Sequence, residues 1–429
     1  MKRFILIFIG VLTSTILHGK EVKQDWTSYA QSVNVKQYIG KRFAVSAAIR
    51  MRKVSPASKA SLWVRIDKND GYNFFKNDAG YGKVDEDWKH FKIEGVIQEE
   101  SSTLNFGALC FNNGDYFFDD FELKIENDSG QLVPVEIKNE GFEGSKNEEG
   151  WNEGIVKRKF TTSNFKISYS SENPYKGNFS LRIQADSIPG NMKNGKYVKV
   201  NGVRLYYEEY GEGEPLLLIH GNGQSISAFI NQIDIFSKKY RVIALDSRGR
   251  GNSSINESEQ LTYTLQAKDT KLFLDKIGIE SAHIVGWSDG GIIGLILAMK
   301  YPEKVKSLVS MAANVFPEGL VDLDGLKEIV AKEDTKKTKK YSIGSELIRM
   351  MIHYPQLKFE DLSTIKAPTL IIAGDKDQIK TSHTVKISEA IKESQLAILP
   401  NTDHYMPRSS PKIFNETVLR FLETVNISR

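Results

Sequence analysis

The stretch His283-Ile284-Val285-Gly286-Trp287-Ser288-Asp289-Gly290-Gly291 constrains this chain more than any other, because an apolar run, a glycine-flanked serine and a second apolar run follow without a spacer. Such a sequence reads as a strand that turns directly into a helix, with the serine on the turn. A turn so tight leaves no room for a Cβ two residues to either side of the serine, which accounts for Gly286 and Gly290. It lifts the Ser288 hydroxyl above the sheet edge and aims the first amides of the helix at it, where their partial positive charge favours an oxyanion. This is the pattern of a nucleophile elbow.

A chain of 429 residues is too long for one ordinary domain, so two are expected. Its net charge of +4 is small for that length and gives no electrostatic footprint for nucleic acid. Residues 1–19 read as a signal peptide: Lys2 and Arg3 supply the positive start, Phe4 to Leu17 the apolar stretch and Gly19 a small residue at the cleavage point. The mature chain then begins near Lys20, is secreted or periplasmic, and has no membrane span; a retained N-terminal anchor is the competing reading. The single cysteine, Cys110, has no internal partner for a disulfide and sits in the apolar run 104–111 as a small hydrophobe.

From about residue 41 to 127 the pattern has a period near two, and residues 20 to about 190 read as one unit. Segments 43–49, 62–66, 91–97 and 117–125, then 141–143, 165–168 and 179–183, read as strands between Gly, Asn and Asp turns, with no helical stretch among them. Short strands at that spacing predict an all-β sandwich. Its tryptophans Trp63, Trp88 and Trp151 either stack on a sugar ring or pack the core, and alternating aromatics favour the core. Asp119 and Asp120 are adjacent on a strand and point to opposite faces, which argues against a shared calcium.

A linker over 187–195 closes the sandwich, and from residue 196 to the C-terminus apolar strands alternate with helical stretches. Strands are expected at 216–219, 241–245, 282–285, 305–311, 369–372 and 396–399, after a hairpin at 197–210. Helices fit at 228–238, 261–277, 292–301, 382–392 and 411–425. Continuous apolar strands separated by helices predict an α/β domain with a parallel sheet covered on both faces, and chemistry at the carboxyl ends of its strands. Residues from about 315 to 366 break the alternation and read as a lid. Within it, Leu347, Met350, Met351 and Tyr354 either line an acyl pocket or pack the lid helix, and Lys336 to Lys340 read as a solvated run.

Each candidate catalytic residue follows a strand. His220-Gly221-Asn222-Gly223 is a turn that presents a backbone amide, so the Asn222 and Asp289 N–H groups form the expected oxyanion hole. Asp377, in Gly374-Asp375-Lys376-Asp377, is the expected acid, with Asp375 the alternative, since the first acid of such a loop more often serves the turn itself. His404 follows the last strand and is the expected base for Ser288. Of the other histidines, His220 braces its loop, His283 lies back in a strand, and His383, at a helix start, reads as solvated. The chemistry of a serine, an acid and a histidine needs neither metal nor organic cofactor.

With these motifs in order, residues 197–421 resemble the α/β-hydrolase superfamily, the arginine and glycine loop Asp246-Ser247-Arg248-Gly249-Arg250-Gly251-Asn252-Ser253 matching a structural element in which Arg248 is a brace. The elbow is similar to that of valacyclovir hydrolases, a resemblance that would give Asp289 the substrate α-amine. His-Gly-Asn is similar to the haloalkane dehalogenase turn, but those enzymes need an aspartate where Ser288 stands. The pieces 116–123 and 141–143 with Trp151 resemble strands of carbohydrate-binding jelly-roll modules, in reversed order, which implies a glycan as partner of the N-terminal domain. The expected function is an exported serine esterase acting on a small-molecule ester. The alternatives are a carbon–carbon hydrolase, lactonase or aminopeptidase on the same triad, or a glycan-binding protein with a spent hydrolase half.

Overall fold

The computed structural model describes residues 21–427 apart from 55–56, 145–149, 156–157, 160, 193–194 and 336–341. The signal-peptide segment and the lysine run therefore lie outside the described residues. The chain divides into two compact units that part at residues 193–194.

The N-terminal unit is a β-sandwich. One antiparallel sheet runs in the order Arg158–Lys159, Asn152–Ile155, Trp26–Asn34, Thr103–Phe111, Lys59–Asp67, Tyr72–Ala79. The other runs Lys166–Ser170, Ser180–Ala185, Gly114–Glu126, Arg42–Lys53, Lys89–Val96. Aromatic rings join the two faces: Phe106 meets Phe121 at 6.3 Å between centroids, and Trp151 lies 4.8 Å from Phe121. Trp63 and Trp151 are buried, and each indole N–H donates to a backbone carbonyl, of Ala108 and Lys138, so neither offers a face to a sugar. Trp88 is partly exposed and packs edge-on against exposed Tyr175.

The sandwich departs from the sequence reading at residues 141–143. Residues 141–143 form a bend rather than a strand, because Asn139 Oδ1 accepts the Gly144 N–H and turns the chain, burying Phe142 at φ +59°. The first part of the linker 187–195 is held to the sandwich by side-chain hydrogen bonds. Asn113 accepts the Ile188 N–H and donates to the Ile188 and Asn191 carbonyls, and this fastens the segment onto the sandwich.

The C-terminal unit is built on an eight-stranded sheet: β1 (Lys196–Val200), β2 (Val203–Tyr210), β3 (Glu214–Ile219), β4 (Tyr240–Leu245), β5 (Ala282–Trp287), β6 (Val305–Met311), β7 (Thr369–Lys376) and β8 (Gln395–Asp403), ordered β1-β2-β4-β3-β5-β6-β7-β8. From β4 onward all neighbours are parallel, as the apolar strands required. Helices Tyr263–Lys276, Asp289–Lys300, Thr381–Ala390 and Pro411–Ile427 cover it. Two apolar clusters form the core. One gathers Leu217, Ile219, Ile284 and Leu308, the other Leu216, Leu218, Val285 and Val309, as alternation along buried strands dictates. The helix expected at 228–238 is broken into the short turns Ile226–Phe229 and Ile233–Phe236. Buried Gln232 between them donates to Pro407 O and Asn415 Oδ1, which pins the chain there. Between β6 and β7 lies the segment that the sequence reads as a lid, with helices Leu323–Asp334 and Ile343–His353. Leu347 and Met350 are buried in the core, so these two pack the lid rather than line an open pocket.

Candidate active site

Ser288 occupies the turn between β5 and the helix Asp289–Lys300, with φ +56° and ψ −114°. A serine in that region costs on the order of 1–3 kcal/mol and is held only where the surroundings enforce it. They do so through close backbone packing. A Cβ on Gly286 would lie 2.1 Å from Gly290 O, and one on Gly290 only 1.9 Å from Ile219 O. The Ser288 N–H donates to Met311 O at 2.8 Å, tying the turn to the end of β6.

His404, beyond β8, presents Nε2 to Ser288 Oγ at 3.1 Å, and its Nδ1 lies 2.7 Å from Asp377 Oδ1. The Trp287 indole donates to His404 O at 2.9 Å, so the residue beside the serine also seats the histidine's backbone. Asp377 is aimed by two backbone amides, Ile379 N–H on Oδ1 at 3.0 Å and Gly374 N–H on Oδ2 at 3.4 Å. With its side chain fully buried, the carboxylate fixes the proton of His404 on Nδ1 and leaves Nε2 as the acceptor toward the serine. Asp375 instead accepts the Thr402 N–H at 3.1 Å and serves the turn.

The glycine turn after β3 abuts the serine: a Cβ on Gly221 would lie 3.1 Å from Ser288 Cβ. His220 holds this turn, its Nδ1 donating to Gly221 O at 2.8 Å and its Nε2 accepting the Ser247 N–H at 3.0 Å. Burial, aided by Arg250, pushes its pKa down to about 3, so the ring is a neutral brace. Gln224 Oε1 takes the Gly221 N–H at 2.8 Å. The Asp289 N–H opens the helix, one of the amides that helix geometry leaves without a partner. Neither it nor the Asn222 N–H meets an acceptor among the described residues. A hydroxyl activated by an oriented imidazole beside two such amides can attack a carbonyl and hold the resulting oxyanion.

The Asp289 side chain is 1% exposed. Its Oδ1 accepts from Tyr263 OH at 2.8 Å and its Oδ2 from Asn222 Nδ2 at 3.1 Å, so both carboxylate oxygens are engaged by side chains of the protein itself. Burial pushes its pKa up, opposed chiefly by the nearby Arg250 guanidinium. Arg248 is the brace that the loop pattern implied, bidentate to Asp269 through Nε at 2.6 Å and Nη2 at 2.9 Å.

His383 differs from its reading as solvated. It is 5% exposed, accepts the Val315 N–H on Nε2 at 3.0 Å where the lid begins, and packs between Phe316 and Phe359. Burial lowers its pKa to about 4. Sequence reasoning also missed Tyr263, which carries no local signal beyond being a helix-start aromatic. Among the described residues no group of His, Cys, Asp and Glu has the arrangement of a metal site, and no helix is long and apolar enough to cross a membrane.

A strained serine at the carboxyl end of β5, with its imidazole and carboxylate on loops after β8 and β7, defines an α/β-hydrolase, and a family model described as alpha/beta hydrolase fold matches residues 214–331. The C-terminal half of the chain has the α/β-hydrolase fold, and the protein is a hydrolase. It is similar to the serine hydrolase BPHL of Homo sapiens, 29% identical over 248 residues that span 53% of this chain and 85% of that protein. It is also similar to the 2-hydroxy-6-oxononadienedioate/2-hydroxy-6-oxononatrienedioate hydrolase of Paraburkholderia phymatum, 29% identical over 273 residues, 53% of this chain and 95% of that one. Among solved structures, the enol-lactonase from Burkholderia xenovorans LB400 aligns over 53% of this chain and all of its own, at 20% identity and a TM-score of 0.46.

Proposed function

We propose that the protein is an exported carboxylic ester hydrolase in which Ser288 is the nucleophile, His404 the general base and Asp377 its orienting acid. The observation that carries this reading is the unbroken chain Ser288 Oγ to His404 Nε2 at 3.1 Å and His404 Nδ1 to Asp377 at 2.7 Å. Ser288 Oγ attacks the acyl carbon as its proton passes to His404 Nε2. The Asn222 and Asp289 N–H groups hold the oxyanion. Collapse breaks the acyl–oxygen bond, and the departing alcohol takes the proton from His404. Water then attacks the acyl-enzyme by the same route, releasing the acid and restoring the serine. Export is supported by the basic start and apolar stretch of residues 2–17. For the sandwich we propose a packing role, with Trp88, alone of Trp63, Trp88 and Trp151, partly exposed and carrying the Arg50 guanidinium 5.2 Å over its ring.

Ser288→Ala tests the core of this reading. Turnover of p-nitrophenyl acetate should fall by about 10³-fold or more with the melting temperature preserved, and a fluorophosphonate probe should label Ser288. Retained turnover or labelling elsewhere reassigns the nucleophile. A second reading, carbon–carbon bond hydrolysis on the same triad, is favoured by the likeness to the Paraburkholderia phymatum enzyme. It predicts that a vinylogous 1,5-diketone outruns simple esters in kcat/KM.

A further inference from the structure

The side chain of Asn222 makes two contacts that its backbone role does not require. Its Nδ2 donates to Asp289 Oδ2 at 3.1 Å, on the residue after the nucleophile, and to Leu347 O at 3.3 Å, in the middle of the lid helix Ile343–His353. Asp289 is held in turn from the far side by Tyr263 OH at 2.8 Å. Tyr263 opens the helix Tyr263–Lys276, is 2% exposed, and spends its hydroxyl on this one contact. A single amide group thus touches three elements: the turn after β3 to which it belongs, the first residue of the nucleophile's helix, and the lid.

We infer that Tyr263, Asp289 and the Asn222 side chain form a positioning chain that couples the seating of the lid helix to the aim of the Asn222 backbone N–H at the oxyanion. This rests on Ser288 being the nucleophile. The peptide that carries the Asn222 N–H immediately precedes the Cα bearing this side chain, so holding Nδ2 between two acceptors fixes the direction of the backbone donor. Gly223, at φ +63°, follows in a conformation that glycine adopts without cost, so the turn by itself resists rotation little. With the lid seated, Nδ2 has both acceptors; with the lid lifted, the Leu347 carbonyl is lost and the turn is held from one side only. An oxyanion donor acts only when it is aimed in advance, so the fully built hole exists in the lid-seated state. The carboxylate of Asp289 is the fixed end of the chain, with Tyr263 preventing it from swinging. A substrate amine would have to displace one of these partners to reach it.

The test is a kcat-against-KM comparison on a neutral ester and on a cationic aminoacyl ester, with a trifluoromethyl ketone as a probe of oxyanion binding. Asn222→Ala keeps the backbone N–H and removes the tie, and should lower kcat by about 10- to 100-fold on both esters while KM stays within about twofold. Tyr263→Phe should lower kcat by about 3- to 10-fold in the same pattern. In both variants trifluoromethyl ketone affinity should weaken in proportion to kcat, which lost packing alone does not produce. Wild-type kcat and ketone affinity in both variants would overturn the inference. So would a change confined to KM of the cationic ester in Asp289→Asn, since that assigns the carboxylate to the substrate amine. Should Asp289→Asn fail to fold, the Tyr263→Phe result decides alone. Fluorophosphonate labelling of Ser288 in each variant separates these outcomes from failure of the nucleophile assignment.

Discussion

The sheet of the hydrolase unit carries a serine, a histidine and a carboxylate at both ends. Beyond the carboxyl ends of the strands stand Ser288, His404 and Asp377. At the amino ends, Ser307 of β6 lies 2.8 Å from His283 Nδ1 of β5, and His283 Nε2 lies 2.9 Å from Glu214 at the start of β3. The distances are as good as those of the first set. The surroundings are not alike. Ser307 and His283 lie within strands and are fully buried, so no substrate reaches that hydroxyl. Ser288 stands on a turn outside the strand at positive φ, with unpaired amides beside it.

Strand direction accounts for much of the contrast. Every parallel strand here leads into a helix or loop at its carboxyl end, so helix N-termini with their partial positive charge gather there and favour developing oxyanions. The amino ends receive helix C-termini, which carry the opposite partial charge. Residue types alone therefore do not make a nucleophile. Access, a forced turn and donors aimed at the product of attack separate a reactive site from a hydrogen-bonded strut.

The sharpest way to break this comparison is to neutralise each acid. Asp377→Asn should lower kcat on p-nitrophenyl acetate by about 10⁴-fold through the wrong imidazole tautomer. Glu214→Gln should leave kcat at the wild-type value. Equal losses in the two variants would give the amino-end set a part in catalysis.

A smaller effect separates histidines by pH. His383 has a folded pKa of about 4 against an ordinary 6.5, so between those values the unfolded chain takes up a proton that the folded one refuses. Its contribution to stability is therefore whole above about pH 6.5 and is lost as pH falls toward about 4. Urea unfolding across that window should show His383→Gln losing less stability on acidification than wild type, by an amount on the order of 2 kcal/mol. Parallel curves would mean that His383 titrates normally.

The smallest effect belongs to the buried strut. Ser307→Ala removes the partner of His283 Nδ1 and should cost about 1–2 kcal/mol in urea unfolding with kcat unchanged. A loss of activity without a loss of stability would reverse the reading of that end of the sheet.

Much of the geometry of the candidate site was legible in the residues because each part is a local pattern bound to backbone sterics. Gly286 and Gly290 announce the turn at Ser288, since a Cβ at either would strike a carbonyl. Asp377 and His404 announce themselves by following apolar strands late in the chain, and a parallel sheet brings such ends to one rim. The alternating runs of the first half likewise carried the sandwich, although Asn139 turned 141–143 out of the expected strand and Asn113 drew 188–191 onto the sheet.

What the chain determined by itself is the set of local conformations: which segments are strands, where they turn and which residues those turns expose, all governed by side-chain period and steric exclusion within a few residues. The tertiary structure alone decided the pairings between distant residues, Tyr263 with Asp289, Asn222 with Leu347, His383 with Val315 and Ser307 with His283. A hydrogen bond across 24 to 125 positions leaves no periodic mark, because the partners are chosen by how packed elements meet in space and by the cost of burying a polar group unpaired.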